Sequence, residues 1–265
     1  MKIQYVSDLH LELSGNSKYI KKNPFPITGD ILLIAGDSHY YGTPDYTKLH
    51  FWKWASENYK QVIVCMGNHE FYAYQDVSQM KDGFDLEILP NVHVYYNSVV
   101  NLENTDLCGS SASDVSIIVS TLWGHIPENQ IPYVEWGVND FRRIKWGENK
   151  LSGEHFNELN QSCIDFIKKS VSESKNDLKI VLTHHLPSPL LVDEKFKGSN
   201  LNGAFMCDLT NYIANSNIDY WIYGHSHCNI DYQIGNTRLL SNQMGYVAYN
   251  ENVMNKFDPG KFIEI

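Results

Sequence analysis

The pattern that most restricts the fold is a series of short, continuous apolar runs rich in β-branched residues, several of which stop at a polar residue able to bind metal. Ile31-Leu32-Leu33-Ile34-Ala35 runs into Gly36-Asp37, and Val62-Ile63-Val64-Cys65-Met66 runs into Gly67-Asn68-His69-Glu70. Ile3–Val6, Val92–Tyr96, Val115–Ser120, Lys179–Thr183 and Asp219–Tyr223 have the same character. Their length suits strands. Most are too uniformly apolar to leave one face in water, so the sheets they build must be covered on both sides.

Helical spacing appears between the runs. Ser152 to Val171 places Phe156, Leu159, Cys163, Phe166, Ile167 and Val171 on one face, with Ser152 as N-cap and Glu154 early in the first turn. Shorter helices are expected over Lys48–Asn58 and Phe205–Ala214. Tyr232–Ile234 and Thr237–Leu240 flank Gly235-Asn236, a two-residue hairpin signal. No repeat or linker divides the chain, so residues 1–265 read as one α/β domain with sheets beneath helices. The stretch His125–Gly147, rich in Trp, Pro and Asn, reads as a long surface excursion of the kind that carries substrate contacts.

Charge narrows the function. With 21 basic and 31 acidic side chains the net charge is −10, which argues against a broad nucleic-acid-binding surface or an anionic-membrane binder. No run is long and apolar enough to span a bilayer, and the N-terminus lacks the apolar core of a signal peptide. The expectation is a soluble, cytoplasmic protein. Cys65, Cys108, Cys163, Cys207 and Cys228 are scattered and form no CxxC pair, so all five are read as structural.

The histidines and acids are not scattered. Asp8-Leu9-His10, Gly36-Asp37, Gly67-Asn68-His69-Glu70, His184-His185 and Gly224-His225-Ser226-His227 each follow an apolar run. Ligands of open α/β sheets bind beyond the carboxyl ends of strands, so these blocks converge if their strands are parallel neighbours. In extended backbone, residues i and i+2 point the same way, which lets Asp8 and His10, or His225 and His227, grip one ion. Imidazoles, carboxylates and one amide oxygen without thiolate suit Mn, Fe, Zn, Co or Ni better than a structural zinc site. Each block alone is weak evidence. Their joint occurrence at strand ends carries the metal reading.

The series Asp8-x-His10, Gly36-Asp37, Gly67-Asn68-His69-Glu70, His184 and Gly224-His225-x-His227 resembles the signature of the calcineurin-like metallophosphoesterases, with all five blocks in the family's order. The resemblance implies a sandwich of two mixed β-sheets flanked by helices, with a dinuclear metal centre at its edge. It implies that Asp8, His10 and His227 hold one divalent ion, that Asn68, His184 and His225 hold the other, and that Asp37 bridges them. His69 corresponds to the family's catalytic histidine, beside the metals without ligating them. Of the tandem pair, His184 fits the ligand position because it directly follows the strand; His185 is left as a substrate contact or a cover over the site.

Two divalent ions outweigh the charges of Asp8 and Asp37, so the centre is locally positive within an acidic protein and suits a small phosphate-ester substrate. The expected reaction is attack on phosphorus by metal-activated hydroxide, with His69 giving a proton to the leaving group. Glu70 is read either as orienting an imidazole or as lying behind the ligands. His39 is a substrate contact or part of an aromatic surface. Arg142 and Arg143 either fork a phosphate oxygen or form a solvated or Asp-paired cluster. His125 is a weaker site candidate, and His50, His93 and His155 read as structural.

A phosphodiester or nucleotide-type substrate leads, with manganese as the trial metal. A Ser/Thr-type phosphomonoesterase is the alternative, but that group follows Gly-Asp with valine and Asp-Arg-Gly, whereas Gly36-Asp37 is followed by Ser38-His39-Tyr40-Tyr41. Its histidine block reads His-Gly-Gly, not His184-His185-Leu186-Pro187. A non-catalytic binding scaffold is the alternative of another class, and the filled ligand positions give it no support. Oligomeric state is not legible.

Overall fold

The computed structural model describes residues 1–103 and 114–265. Its strands are β1 (Lys2–Val6), β2 (Ile31–Ile34), β3 (Gln61–Cys65), β4 (Phe84–Leu89), β5 (Val92–Tyr96), β6 (Ser98–Leu102), β7 (Val115–Ser120), β8 (Lys145–Trp146), β9 (Asn149–Lys150), β10 (Leu178–Thr183), β11 (Tyr220–Tyr223), β12 (Tyr232–Ile234), β13 (Thr237–Ser241) and β14 (Phe262–Glu264). The α-helices are α1 (Ser14–Lys22), α2 (His50–Asn58), α3 (Ile131–Gly137), α4 (Asp140–Arg143), α5 (Gly153–Glu173), α6 (Thr210–Ala214) and α7 (Glu251–Met254).

Two mixed sheets of six strands form the body, in the orders β14-β1-β2-β3-β5-β4 and β12-β13-β11-β10-β7-β6. In each, four parallel strands lie at the centre and an antiparallel strand closes each edge. The two-sheet α/β architecture expected from the sequence is therefore present. β8 and β9 make a separate small hairpin.

The continuous apolarity of the central strands has a direct cause. Alternate residues point to opposite faces. Ile31, Leu33 and Ala35 join Ile63, Cys65, Ile117, Val119, Ile180 and Leu182 in the core between the sheets. Leu32, Ile34, Val62 and Val64 face the other way, into a cluster with Phe51, Trp52 and Ala55 of α2. On the second sheet Ile118, Val181, Trp221 and Leu239 pack against Ile167 and Val171 of α5 and Ile213 of α6. Each fully buried Leu, Ile or Val contributes about 1.5–3 kcal/mol of hydrophobic stabilisation. Cys65, Cys163, Cys207 and Cys228 are free and buried, whereas Cys108 lies outside the described residues. Among the described residues no helix is long and apolar enough to cross a membrane.

Two expectations need correction. The helix expected from Phe205 is confined to Thr210–Ala214. Leu186 N donates to Phe205 O (3.1 Å) and Cys207 N donates to Leu186 O (3.0 Å), so the first residues of that stretch pair across to another loop. The stretch His125–Gly147 is not a bare surface excursion. It carries α3 and α4, and Val134, Phe141 and Ile144 are buried with Phe156 of α5.

α5 begins at the cap the sequence indicates: Ser152 has extended backbone and its hydroxyl accepts from His155 N. Ser152→Ala should lower unfolding free energy by about 1 kcal/mol, measured as a lower urea midpoint at unchanged slope.

Candidate metal centre

Each candidate donor sits in the turn after a parallel strand. Asp8 and His10 follow β1, Asp37 follows β2, and Asn68 and His69 follow β3; His184 follows β10, and His225 and His227 follow β11. The convergence therefore spans the carboxyl ends of both sheets. Donor atoms of Asp8, His10 and His227 lie within 4.8 Å of one another, as do those of Asp37, His184 and His225. A third such group joins His10, Asp37 and His69. Asn68 Oδ1 is 3.0 Å from His184 Nε2, which lies 3.2 Å from Asp37 Oδ1.

The backbone achieves this differently from the extended geometry expected. Asp8, His10, Asp37, His225 and His227 all have left-handed φ, at 55°, 45°, 54°, 75° and 49°. The turns coil back, and the coil rather than the pleat brings residues i and i+2 together. Hydrogen bonds hold it: Asp8 N donates to Gly36 O, His10 N to Asp37 O, and His225 N to the Asp8 carboxylate. Close approach also demands two glycines. A Cβ on Gly36, itself at φ 86°, would lie 2.4 Å from His184 Nδ1, and one on Gly67 would lie 2.3 Å from Asp37 Oδ1.

Hydrogen bonds on the far sides of the rings set the tautomers. His10 Nδ1 faces Glu12 Oε1 at 3.1 Å, and His227 Nδ1 faces Glu251 Oε2 at 2.6 Å. Carboxylates only accept, so both Nδ1 atoms carry hydrogen and both Nε2 atoms present lone pairs when the rings are neutral. Those two Nε2 atoms face each other at 3.0 Å. His184 Nδ1 donates to Ala35 O, which likewise turns its Nε2 toward Asn68 and Asp37. Lone pairs pressed together around buried carboxylates call for positive charge among them, which a proton or a metal ion can supply. Nitrogen and oxygen donors without thiolate fit a divalent ion of the Mn, Fe, Zn, Co or Ni type.

The buried carboxylates favour positive charge on the rings beside them. Burial alone would lower the pKa of His227, yet hydrogen bonds to Asp8 and then Glu251 raise it to about 10. Burial is likewise outweighed at His184, which Asp37 raises to about 9. Burial pushes His225 and His185 well down. Glu12 is held at about 2, because bonds to His10 and His69 outweigh the opposing effect of burial.

Three supporting carboxylates escaped the sequence reading. Glu12 Oε1 bridges His10 Nδ1 and His69 Nδ1 at 3.1 and 3.0 Å; its spacing in Asp8-x-His10-x-Glu12 is the only sequence signal. Asp140 accepts from Asn68 Nδ2 (2.8 Å) and Tyr72 Oη (2.6 Å), so the Asn68 amide oxygen faces His184. Glu251, on α7, orients His227. Neither Asp140 nor Glu251 has a local signal. Glu70 bonds no imidazole: its carboxylate accepts from the backbone N of Gly67, Asp37 and Ser38 and from the Ser38 hydroxyl.

His69 lies beside the group, with Nε2 3.9 Å from Asp37 Oδ2 and its ring stacked on Tyr72 at 4.1 Å. Its side chain is 13% exposed, whereas those of His10 and His184 are fully buried. Arg143 reaches this edge, its guanidinium 5.4 Å from the Tyr72 ring and 5.6 Å from Tyr40, with Nε donating to Tyr72 O. Arg142 instead donates to Trp136 O. His39 leans on Tyr40 and Tyr46 and joins none of the donor groups found among the described residues. His185 is fully buried beneath His225, ring centroids 4.1 Å apart, and so lies behind the site rather than on an open face. His125 is exposed and its backbone N donates to Met206 O; His93 pairs with Asp85, His155 stacks on Trp146, and His50 is exposed at the start of α2.

A double-sheet α/β sandwich with clustered histidines, carboxylates and an amide at the strand ends defines a metallohydrolase architecture. The chain belongs to the calcineurin-like phosphoesterase family, whose sequence model matches residues 1–229. Membership implies metal-dependent hydrolysis of phosphate esters. The chain is 30% identical to uncharacterized protein L509 of Acanthamoeba polyphaga mimivirus, over 99% of its own length and 96% of that protein's. Its fold is similar to that of the phosphopantetheinyl hydrolase of Mycobacterium tuberculosis, with a TM-score of 0.67 at 15% identity over 99% of this chain and 95% of that one.

Gly36→Ala should cost about 2–4 kcal/mol, since it combines a strained φ with a buried clash. Thermal unfolding and metal analysis after dialysis should show a lower melting temperature and reduced metal content together. Full metal content would show that His184 can move aside.

Proposed function

We propose that the protein hydrolyses a phosphodiester or nucleotide-type small molecule at a dinuclear centre. In this reading Asp8, His10 and His227 hold one ion, Asn68, His184 and His225 hold the other, and Asp37 bridges them. The observation that carries it is the pair of three-residue donor groups, each within 4.8 Å, with the Nε2 lone pairs of His10 and His227 turned toward each other. Bound divalent ions supply Lewis-acid charge for the phosphoryl oxygens and lower the pKa of water enough to furnish a nucleophile near neutral pH.

The chain's own groups do the rest. Glu12 fixes hydrogen on His69 Nδ1, which leaves Nε2 facing the site to hold a proton for the leaving oxygen. Burial lowers the His69 pKa, but Asp37 and Glu12 more than offset it and raise the net value, as a general acid requires. Asp140 locks the Asn68 amide, and Arg143, braced by Tyr40 and Tyr72, can approach a phosphoryl oxygen.

The test is initial rates on bis-p-nitrophenyl phosphate and p-nitrophenyl phosphate after manganese loading, followed by nucleotide diesters and a phosphopantetheinyl conjugate. Faster, chelator-sensitive diester cleavage is expected. Monoester preference would transfer the assignment to a phosphomonoesterase, and metal binding with no cleavage of any substrate would favour a scaffold.

For His69→Ala, turnover of a diester with an alkoxide leaving group should fall by about 10²–10⁴-fold. The loss should be much smaller with p-nitrophenolate, and metal content should hold. Equal losses on both leaving groups would remove His69 from the proton-donor role.

A further inference from the structure

Beside the donor cluster lies a separate cavity of about 160 Å³. Its apolar walls are Leu186, Val192, Phe196, Leu201 and Phe205, and it reaches Ser226, the residue between His225 and His227. Phe205 also stacks on the His225 ring, centroids 4.7 Å apart. One side chain thus forms a wall of the cavity and a face of the candidate metal site.

The cavity is built in advance of any ligand. Leu186 and Phe205 are tied backbone to backbone, as are Val192 with Pro189, Phe196 with Asp193, and Asn202 with Ser199. The polar side chains at its edge are each engaged with neighbouring protein groups. Asp193 accepts from Lys195 N, the Ser199 hydroxyl accepts from Leu201 N, Asn202 donates to Phe196 O, and Ser226 meets Cys228 O and Gln243 Nε2. The interior therefore offers an occupant apolar contact, and the Asp193 carboxylate at the edge disfavours a second phosphate. An apolar cavity of about 150 Å³ holds one benzene ring.

We propose that this cavity is the subsite for an uncharged aromatic or branched apolar substituent, of about one ring, carried by the substrate whose phosphoryl group lies at the metal centre. The proposal rests on the phosphoester reading above and adds which substituent that site selects. A sugar fits poorly, because its hydroxyls would meet few free partners.

The experiment is calorimetric titration of the manganese-loaded protein with phenylphosphonate and methylphosphonate, neither of which contains a phosphoester bond to cleave. Burial of the ring should make phenylphosphonate bind at least about tenfold tighter. Val192→Phe, which fills the cavity, should bring the ratio of the two dissociation constants toward one. Phe196→Ala, at a residue 46% exposed on the rim, should reduce the ratio several-fold with little demand on the fold. Equal binding of both phosphonates to the wild type, or an undiminished ratio in folded Val192→Phe, overturns the subsite while leaving the phosphoester reading intact. Binding of neither phosphonate overturns both.

Discussion

Glu70 is the point on which the site's geometry turns. Its fully buried carboxylate accepts from Gly67 N, Asp37 N, Ser38 N and the Ser38 hydroxyl at 2.7–3.1 Å. One side chain thereby staples the turn after β2 to the turn after β3. Burial and the neighbouring charge of Asp37 raise its pKa to about 7, so the staple works against its own solvation and depends on four converging donors. With those turns fixed, Asp37 can accept from His69 N (2.9 Å), and Asn68 can meet Asp140.

The left-handed residues show where the stability of the body is used. A non-glycine residue in a sparsely populated backbone region costs about 1–3 kcal/mol, and such residues persist only where their surroundings over-determine them. Of the eleven such non-glycine residues described, five are Asp8, His10, Asp37, His225 and His227, in turns on two sheets whose central strands are buried on both faces. The covered parallel strands offset this strain and hold the turns in register. Asp8 is bound to both sheets at once, since its own carboxylate receives His225 N while its backbone N donates to Gly36.

Much of this was legible in the chain because the signals are local. The apolar runs β1, β2, β3, β10 and β11 declare themselves by composition, and the candidate donors lie next to them in sequence. The boundary of α5 follows from Ser152. What stayed hidden depends on tertiary approach. Asp140 reaches Asn68 from a segment whose polar and aromatic composition resembles surface, yet Phe141 and Ile144 drive that segment into the core. Glu251 lies far along the chain from the blocks it serves. The coiled turns differ from the extended geometry that the spacing suggests, because hydrogen bonds made by other loops select an αL conformation that Asp and His adopt more readily than most residues.

The candidate donors and the proposed subsite occupy different kinds of backbone. The donors sit on turns clamped to strand ends, where small displacements would break several hydrogen bonds together. The apolar cavity is walled largely by the loop from Leu186 to Phe205, built from short 3₁₀ turns. This loop touches the donor turns where Phe205 stacks on His225 and where the His225 ring meets Ala204 O (3.3 Å). In the proposed reading the donor pattern sets the reaction class, while the choice of substrate rests with residues that this pattern does not include.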